Sequence, residues 1–206
     1  RGARSMVLYG LRGVGKTVLL VDLQNEYVAA GRQLEIRGIA PALENCRRLL
    51  DHARAARWTI AHTRWLQPGP YFNRQLPYAG WIAGFEPYGT ELVYERSGPS
   101  CYSAEDFDAF AECAGGQRIV IAGLTGVVAC LATLIEGTAR GHRLTFVADA
   151  SASHGSSGCD EEQAHERAAW VASHYVPVIE TDDLVGGPSL SPARPHHGLL
   201  RHARHS

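Results

Sequence analysis

The apolar positions of the chain fall into short runs separated by segments of helical period. VLLVD (18–22), WTIAHT (58–63), ELVYE (91–95), RIVIAG (118–123), RLTFVADA (143–150) and VPVIET (176–181) read as strands. Between them, PALENCRRLLDHARAAR (41–57) sets Leu43, Cys46, Leu50 and Ala53 on one stripe at helical spacing, with Pro41 suited to the first turn. Ser103 and Asp106 make an S-x-x-D capping box, which predicts a helix opening there and running to about Cys113. Residues 127–140 predict a helix ended near Gly141, and 160–175 another whose acidic first turn suits the macrodipole. Residues 65–99, rich in Gly, Pro and aromatics, predict a long loop region holding the short third strand. Strands alternating with helices predict a three-layer α/β/α domain with a mostly parallel, doubly wound sheet covered on both faces. Ligands of such a sheet bind at the carboxyl ends of its strands.

Composition narrows the partners. With 206 residues the chain is long enough for one substantial domain, assigned here to 17–182, after a lead-in of 1–16 and before a Pro-, His- and Arg-rich tail of 183–206. A formal net charge of −1 argues against a nucleic-acid or membrane-surface partner. No apolar run approaches the roughly 18–20 residues that span a bilayer, and RGARSMVLYGLRG lacks the apolar core of a signal peptide. Cys46, Cys101, Cys113, Cys130 and Cys159 are odd in number and irregular in spacing, so a reducing cytoplasm is the expectation. No D-x-H or H-x-x-x-H pair follows the second strand, and His196, His197, His202 and His205 sit in the tail, so neither a metal nor a cofactor is expected.

The stretch YGLRGVGKTVLLVDLQNEY (9–27) supports two incompatible chemistries. Gly10, Gly15, Lys16 and Thr17 satisfy the phosphate-cradling pattern G-x-x-x-x-G-K-[ST]. That reading makes TVLLVDLQNEYVAAG a helix, the chain a nucleotide hydrolase, and Asp149 its magnesium ligand. The other reading makes 18–22 a buried strand that delivers Asp22 to the ligand-binding edge of the sheet, for acid–base work.

Further runs favour the second. VLLVDLQNEYV, WTIAHTR, GFEP with ELVYERSGPSCYSAEDF, and RIVIAGLTGVVACLATLIEGTARGHRLTFVADASASH together resemble the isochorismatase-like hydrolase superfamily, from about Thr17 to about Ile179. The resemblance implies a hydrolase of a small metabolite, without cofactor, acting as a homo-oligomer. Amidases of that superfamily use an Asp, a Lys and a Cys: the Asp takes the thiol proton and the thiolate attacks a carbonyl carbon. Asp22 matches the first position. Arg96 stands at the second, and being always protonated it cannot shuttle protons, though it can hold Asp22 ionised or clamp a substrate carboxylate. At the third, counting six residues from Gly123 gives Ala129, as does counting back from Gly141; Cys130 follows, about 100° round the helix. Isochorismatases proper lack the thiol and cleave a vinyl ether, with the Asp as proton donor and water as nucleophile.

Four functions therefore stay open. They are water-mediated acid–base hydrolysis at Asp22, amide hydrolysis through Cys130, ligand binding without turnover, and nucleotide hydrolysis through Gly10–Thr17. The candidate substrate-binding residues are Gly126, Val128 and Ala129 of the turn after the fourth strand, the aromatics Trp65, Tyr71 and Phe72, and Tyr102 and His154. His62 is read as a core or edge residue of the second strand.

Overall fold

A computed structural model of the protein describes residues 16–114 and 118–186. Six strands form one sheet: β1 Thr17–Val21, β2 Thr59–Trp65, β3 Leu92–Arg96, β4 Ile119–Leu124, β5 Leu144–Ala152 and β6 Val178–Ile179. Every pairing is parallel, in the order β3-β2-β1-β4-β5-β6. The chain winds outward from β1 through β2 to β3, then returns to β4 and winds the other way. The topological switch point thus lies between β1 and β4, where ligands of doubly wound sheets bind. The strands read from sequence lie within a residue or two of these, except the last, of which only Val178 and Ile179 join the sheet.

β1 explains itself by burial. All five of its residues are enclosed, because both of its faces are covered. Val18 and Leu20 pack under helix α1 (Ala40–Ala55) with Cys46, Leu49, Leu50 and Ala53. Leu19 and Val21 pack on the opposite side with Phe107 and Phe110 of α2 (Phe107–Cys113) and Leu134 of α3 (Leu131–Ala139). Each such fully buried side chain contributes roughly 1.5–3 kcal/mol of transfer free energy. α4 (Glu161–Ala172) is capped by Asp160, whose Oδ1 accepts the Gln163 N–H at 2.8 Å. A last turn, α5 (Asp182–Val185), reaches α1 through Arg48 and Asp182.

Three expectations change. The Ser103–Asp106 capping box does not form. Ser103 Oγ donates to the Ser100 carbonyl and accepts the Gly98 N–H instead, so α2 starts only at Phe107, behind a left-handed Asp106. The helix expected over 127–140 opens with a wide π turn, Gly126–Cys130, before α3. The phosphate-cradle reading fails where it needs a helix, because Thr17–Val21 is a central strand and Lys16 lies over the Trp58 ring at 5.2 Å. Gly10 and Gly15, the rest of the lead-in and the tail beyond Gly186 lie outside the described residues.

Gly123 is required where β1 and β4 meet. Its φ is +112°, and a Cβ placed there would lie 2.2 Å from the Val21 carbonyl oxygen. Gly123→Ala is therefore expected to cost more than the ~1–3 kcal/mol of backbone strain alone, as a lowered urea midpoint or loss of soluble protein.

Candidate active site

Asp22 follows directly on β1. Its backbone takes a φ of +46°, a left-handed conformation that Asp tolerates better than most residues. Its N–H still donates to the Thr63 carbonyl at 3.0 Å, so it is tied to the end of β2 as it leaves the sheet. The carboxylate is completely enclosed. Arg96, the last residue of β3, reaches across β2 to meet it: Nε lies 2.9 Å from Oδ2 and 3.1 Å from Oδ1, and Nη2 donates to Oδ2. Thr63 Oγ1 donates to Oδ1 at 3.0 Å. Burial pushes the Asp22 carboxyl above its usual range, while the Arg96 charge and these hydrogen bonds pull it back.

Arg96 is committed to the protein. Besides Asp22, its Nη1 donates to the carbonyls of Gly98 and Pro99, and its guanidinium lies 4.2 Å from the centre of the Trp65 ring. Too few donors remain for a bidentate grip on a substrate carboxylate. Of the two roles open to it in sequence, the geometry fits the one of holding Asp22.

The turn after β4 closes the switch point from the other side. Ala129 and Cys130 are both buried, Gly126 is buried, and Val128 is half-buried. The Cys130 thiol lies 3.6 Å from the Gly123 carbonyl and 4.0 Å from Ser151 Oγ and makes no hydrogen bond to Asp22 among the described residues. Burial pushes it well above the ordinary thiol value, with Cys101 adding to the rise. The turn itself is held by the end of β5, where Ser153 Oγ accepts the Val127 N–H at 3.0 Å. Gly126 rests on Ser151, Ser153 and His165, each about 3.0–3.1 Å from where its Cβ would be.

Aromatic residues cover the Arg96 side. Trp65 stacks on Phe72, with centroids 5.5 Å apart and planes 5° apart, and Phe72 meets Tyr27 at 5.4 Å. Gln24 fixes this wall. Its side chain accepts the Trp65 N–H at 2.7 Å and donates to the carbonyls of Trp65 and Ala79. Tyr71 lies further out, with its hydroxyl on Gln33 and the Arg32 guanidinium over its ring. Arg32 also pairs with the buried Glu26, pinning the segment after β1 to the aromatic loop.

Two of the sequence candidates make contacts other than with Asp22. The Tyr102 hydroxyl bonds His142 Nδ1 at 2.6 Å and its ring packs edge-on to Phe107, beside the C-terminal end of α3. His154 lines a cleft of about 780 Å³ with Arg32, Gln33, Arg37 and Cys159; its Nδ1 is buried without a partner among the described residues. His62 is wholly buried on β2, with Nε2 2.7 Å from Glu91, as its sequence reading allows. Thr63, Tyr27 and Cys101 were missed. The signal for Thr63 was its place at the carboxyl end of β2, level with Val21. Among the described residues no cluster of three or more His, Cys, Asp or Glu could hold a metal, and no helix is long and apolar enough to cross a membrane.

Comparison with known proteins adds to this geometry. A model of the isochorismatase domain matches residues 16–183. The secreted isochorismatase effector Isc1 of Verticillium dahliae is 25% identical over 170 residues, which cover 81% of this chain and 88% of that protein. An isochorismatase structure from Pseudomonas putida superposes with a TM-score of 0.77 at 27% identity, covering 82% of this chain and 89% of that one. A cysteine hydrolase from Pseudomonas syringae pv. phaseolicola has a TM-score of 0.73 at 19% identity, over 82% of this chain and 91% of that one, a likeness of fold.

Proposed function

The chain belongs to the isochorismatase family of hydrolases, and from that premise we propose that it hydrolyses a small metabolite by acid–base chemistry at Asp22, with water as the nucleophile and a vinyl ether or related bond as the target. One observation carries the choice of mechanism. The buried Asp22 carboxylate is held by Arg96 and Thr63 at the switch point, and among the described residues no thiol is hydrogen-bonded to it. Ala129 stands where the superfamily resemblance puts the nucleophile, and the Cys130 thiol is turned to Gly123 and Ser151. In this reading Asp22, whose carboxyl burial pushes up, gives its proton to the enol carbon; water adds to the oxocarbenium carbon so formed and returns a proton to Asp22, and the hemiketal collapses with loss of the alcohol. Arg96 stabilises the carboxylate left when the proton departs, and Trp65 and Phe72 wall the site on the Arg96 side.

A panel of small enol ethers and small amides, assayed with the wild type, Asp22→Asn and Cys130→Ser, tests the reading. Enol-ether turnover that is lost in Asp22→Asn and kept in Cys130→Ser supports it. Amide turnover abolished by Cys130→Ser would replace it with the thiol mechanism. Ligand binding with no turnover of either class would make the chain a binding homologue.

Thiol labelling gives an independent check. Cys113 and Cys159 are partly exposed, whereas Cys46, Cys101 and Cys130 are buried. Brief iodoacetamide treatment and peptide mapping are expected to find Cys113 and Cys159 modified well before Cys130. Labelling at Cys130 first would mean an activated thiol. The cytoplasm is carried over from the cysteine pattern of the sequence as part of this proposal, and fractionation of the source cells tests it. Homo-oligomerisation is carried over from the family resemblance, and sedimentation analysis tests it.

A further inference from the structure

We propose that Arg32 is the gate of the active site: its ion pair with Glu26 holds the aromatic segment 66–78 shut over Asp22, and its release opens a way in from the cleft beside it. This rests on the reading of Asp22 as the acid–base residue, since that reaction brings substrate and water to a group sealed in this structure. Asp22 is wholly buried and Arg96 is 1% exposed. Neither lines the cleft at His154 or the smaller cavity at Ser153 and His165. Part of the wall therefore has to yield before chemistry begins. Most of it is fixed. β1 and β4 are central strands buried along their whole length. The turn Gly126–Cys130 is tied by the Val127 N–H to Ser153 Oγ and by the Ala129 carbonyl to Thr133 Oγ1. Segment 66–78 is different. Residues 68–70 and 74–77 are exposed, and within the segment Phe72 alone is buried.

Phe72 is the stopper. Its ring packs on Trp65 and Tyr27, and Trp65 in turn lies on the Arg96 guanidinium. Its backbone is left-handed, with a φ of +51°, a conformation that a bulky residue keeps only where its surroundings hold it. Glu26 and Arg32 do the holding. Glu26 Oε2 accepts the Phe72 N–H at 3.3 Å, and Glu26 Oε1 accepts from Arg32 Nε at 2.7 Å. Arg32 Nη2 donates to the Pro70 carbonyl at 2.5 Å, and the guanidinium lies 4.4 Å from the centre of the Tyr78 ring and 5.5 Å from that of Tyr71. One side chain thus grips the segment at Pro70, Tyr71 and Tyr78 and, through Glu26, at Phe72. The two partners of the pair are unequal. Glu26 is fully enclosed, whereas the Arg32 side chain is 23% exposed and lines the cleft of about 780 Å³. Arg32 can swing into water at small cost, and Glu26 cannot. Once Arg32 has left, relaxation of the left-handed Phe72 favours opening, and the cleft then reaches toward Tyr27, Trp65 and the Arg96–Asp22 pair.

Hydroxyl-radical footprinting with mass spectrometry tests the gate without a substrate, because it reads side-chain exposure residue by residue. Phe72 and Tyr27 are the reporters, and Phe107 and Phe110, buried in the core on the other face of the sheet, are the controls. Arg32→Ala is expected to raise oxidation of both reporters about tenfold, the shift in an opening equilibrium that loss of one charge-assisted hydrogen bond produces, with the controls unmoved. Glu26→Gln keeps an acceptor for the Phe72 N–H but not the charge. It should open the segment likewise, and combining it with Arg32→Ala should add little. Arg32→Lys, which restores the charge, should fall back toward wild type. Unchanged oxidation of Phe72 and Tyr27 in Arg32→Ala would overturn the proposal. So would a rise shared by Phe107 and Phe110 in all three single variants, since the pair would then hold the whole fold and not a gate. A segment still closed in Glu26→Gln would overturn it as well, because ring stacking on Arg32 would be the latch in place of the ion pair. The reading beneath fails separately, through enol-ether turnover that survives Asp22→Asn.

Discussion

Arg96→Met is expected to lower the unfolding free energy by about 3–5 kcal/mol, the usual result of removing one partner from a buried ion pair. The methionine fills much of the same volume, so the loss comes from charge and not from a cavity. Asp22 would keep the Thr63 hydroxyl but lose every contact from Nε and Nη2 while fully enclosed by protein. Its carboxyl would respond by holding a proton. A carboxyl raised further in the folded state makes stability fall as pH rises above the unfolded value, because the unfolded chain then releases a proton that the folded one keeps. The deficit against wild type should therefore be smaller at about pH 5 than at neutral pH. Urea unfolding at the two pH values measures this. Removing the carboxylate as well, in Asp22→Asn with Arg96→Met, should recover part of the loss, because no unpaired charge is left inside. A deficit below about 1 kcal/mol would mean that water reaches the pair and that the pair behaves like a surface one.

The same burial decides how much could be read from sequence. β1 and β4 are legible because a strand covered on both faces is almost uninterruptedly apolar, and the polar residue that ends such a run marks the ligand edge. Asp22 stands out for that reason. The two-residue β6 shows the limit: VPVIET has the composition of a strand, yet only Val178 and Ile179 find a partner in β5. The capping box on Ser103 and Asp106 fails for a different cause. A serine hydroxyl makes the bonds that are nearest, and here the Gly98 N–H and the Ser100 carbonyl are nearer than the helix start. The phosphate-cradle match fails on context. Its pattern covers eight residues, but its chemistry needs a helix after them, and Thr17–Val21 is the central strand.

The site was legible where one residue sits at the end of one element, and hidden where several elements meet. Arg96 and Ala129 follow from alignment along the chain. Thr63 and Cys101 do not, since their meaning arises only when β1, β2 and the turn after β3 converge. Cys130 was ambiguous because one residue along a helix is about 100° of rotation, and the wide turn Gly126–Cys130 changes that count again. Tyr102, a candidate substrate-binding residue from sequence, is placed by local chain direction. The chain turns tightly at Cys101–Ser103, and the ring leaves toward His142.

Asp22→Asn is expected to lower kcat/KM on the protein's substrate by about 10²–10⁴, the range lost when a general acid–base residue is removed. The amide keeps the shape of the carboxylate and its oxygen can still accept from Thr63 and Arg96 Nε, but its NH2 faces the Arg96 donors that Oδ2 accepted from; the loss of the proton-transfer group should fall on kcat. The fold is not untouched, however. Arg96 is 1% exposed and would lose its counter-charge, so a stability cost of up to about 3–5 kcal/mol, that of breaking a buried ion pair, accompanies the substitution. Rates therefore have to be compared well below the variant's unfolding transition, with circular dichroism showing the same folded fraction as wild type. Cys130→Ser is the contrast. Its side chain faces Gly123 and Ser151, and removing the sulfur there should leave kcat within a few-fold of wild type if the thiol takes no covalent part. The pair of variants separates the two chemistries that the family permits: a carboxylate working on water loses its rate only in the first, whereas a thiol nucleophile served by that carboxylate loses it in both.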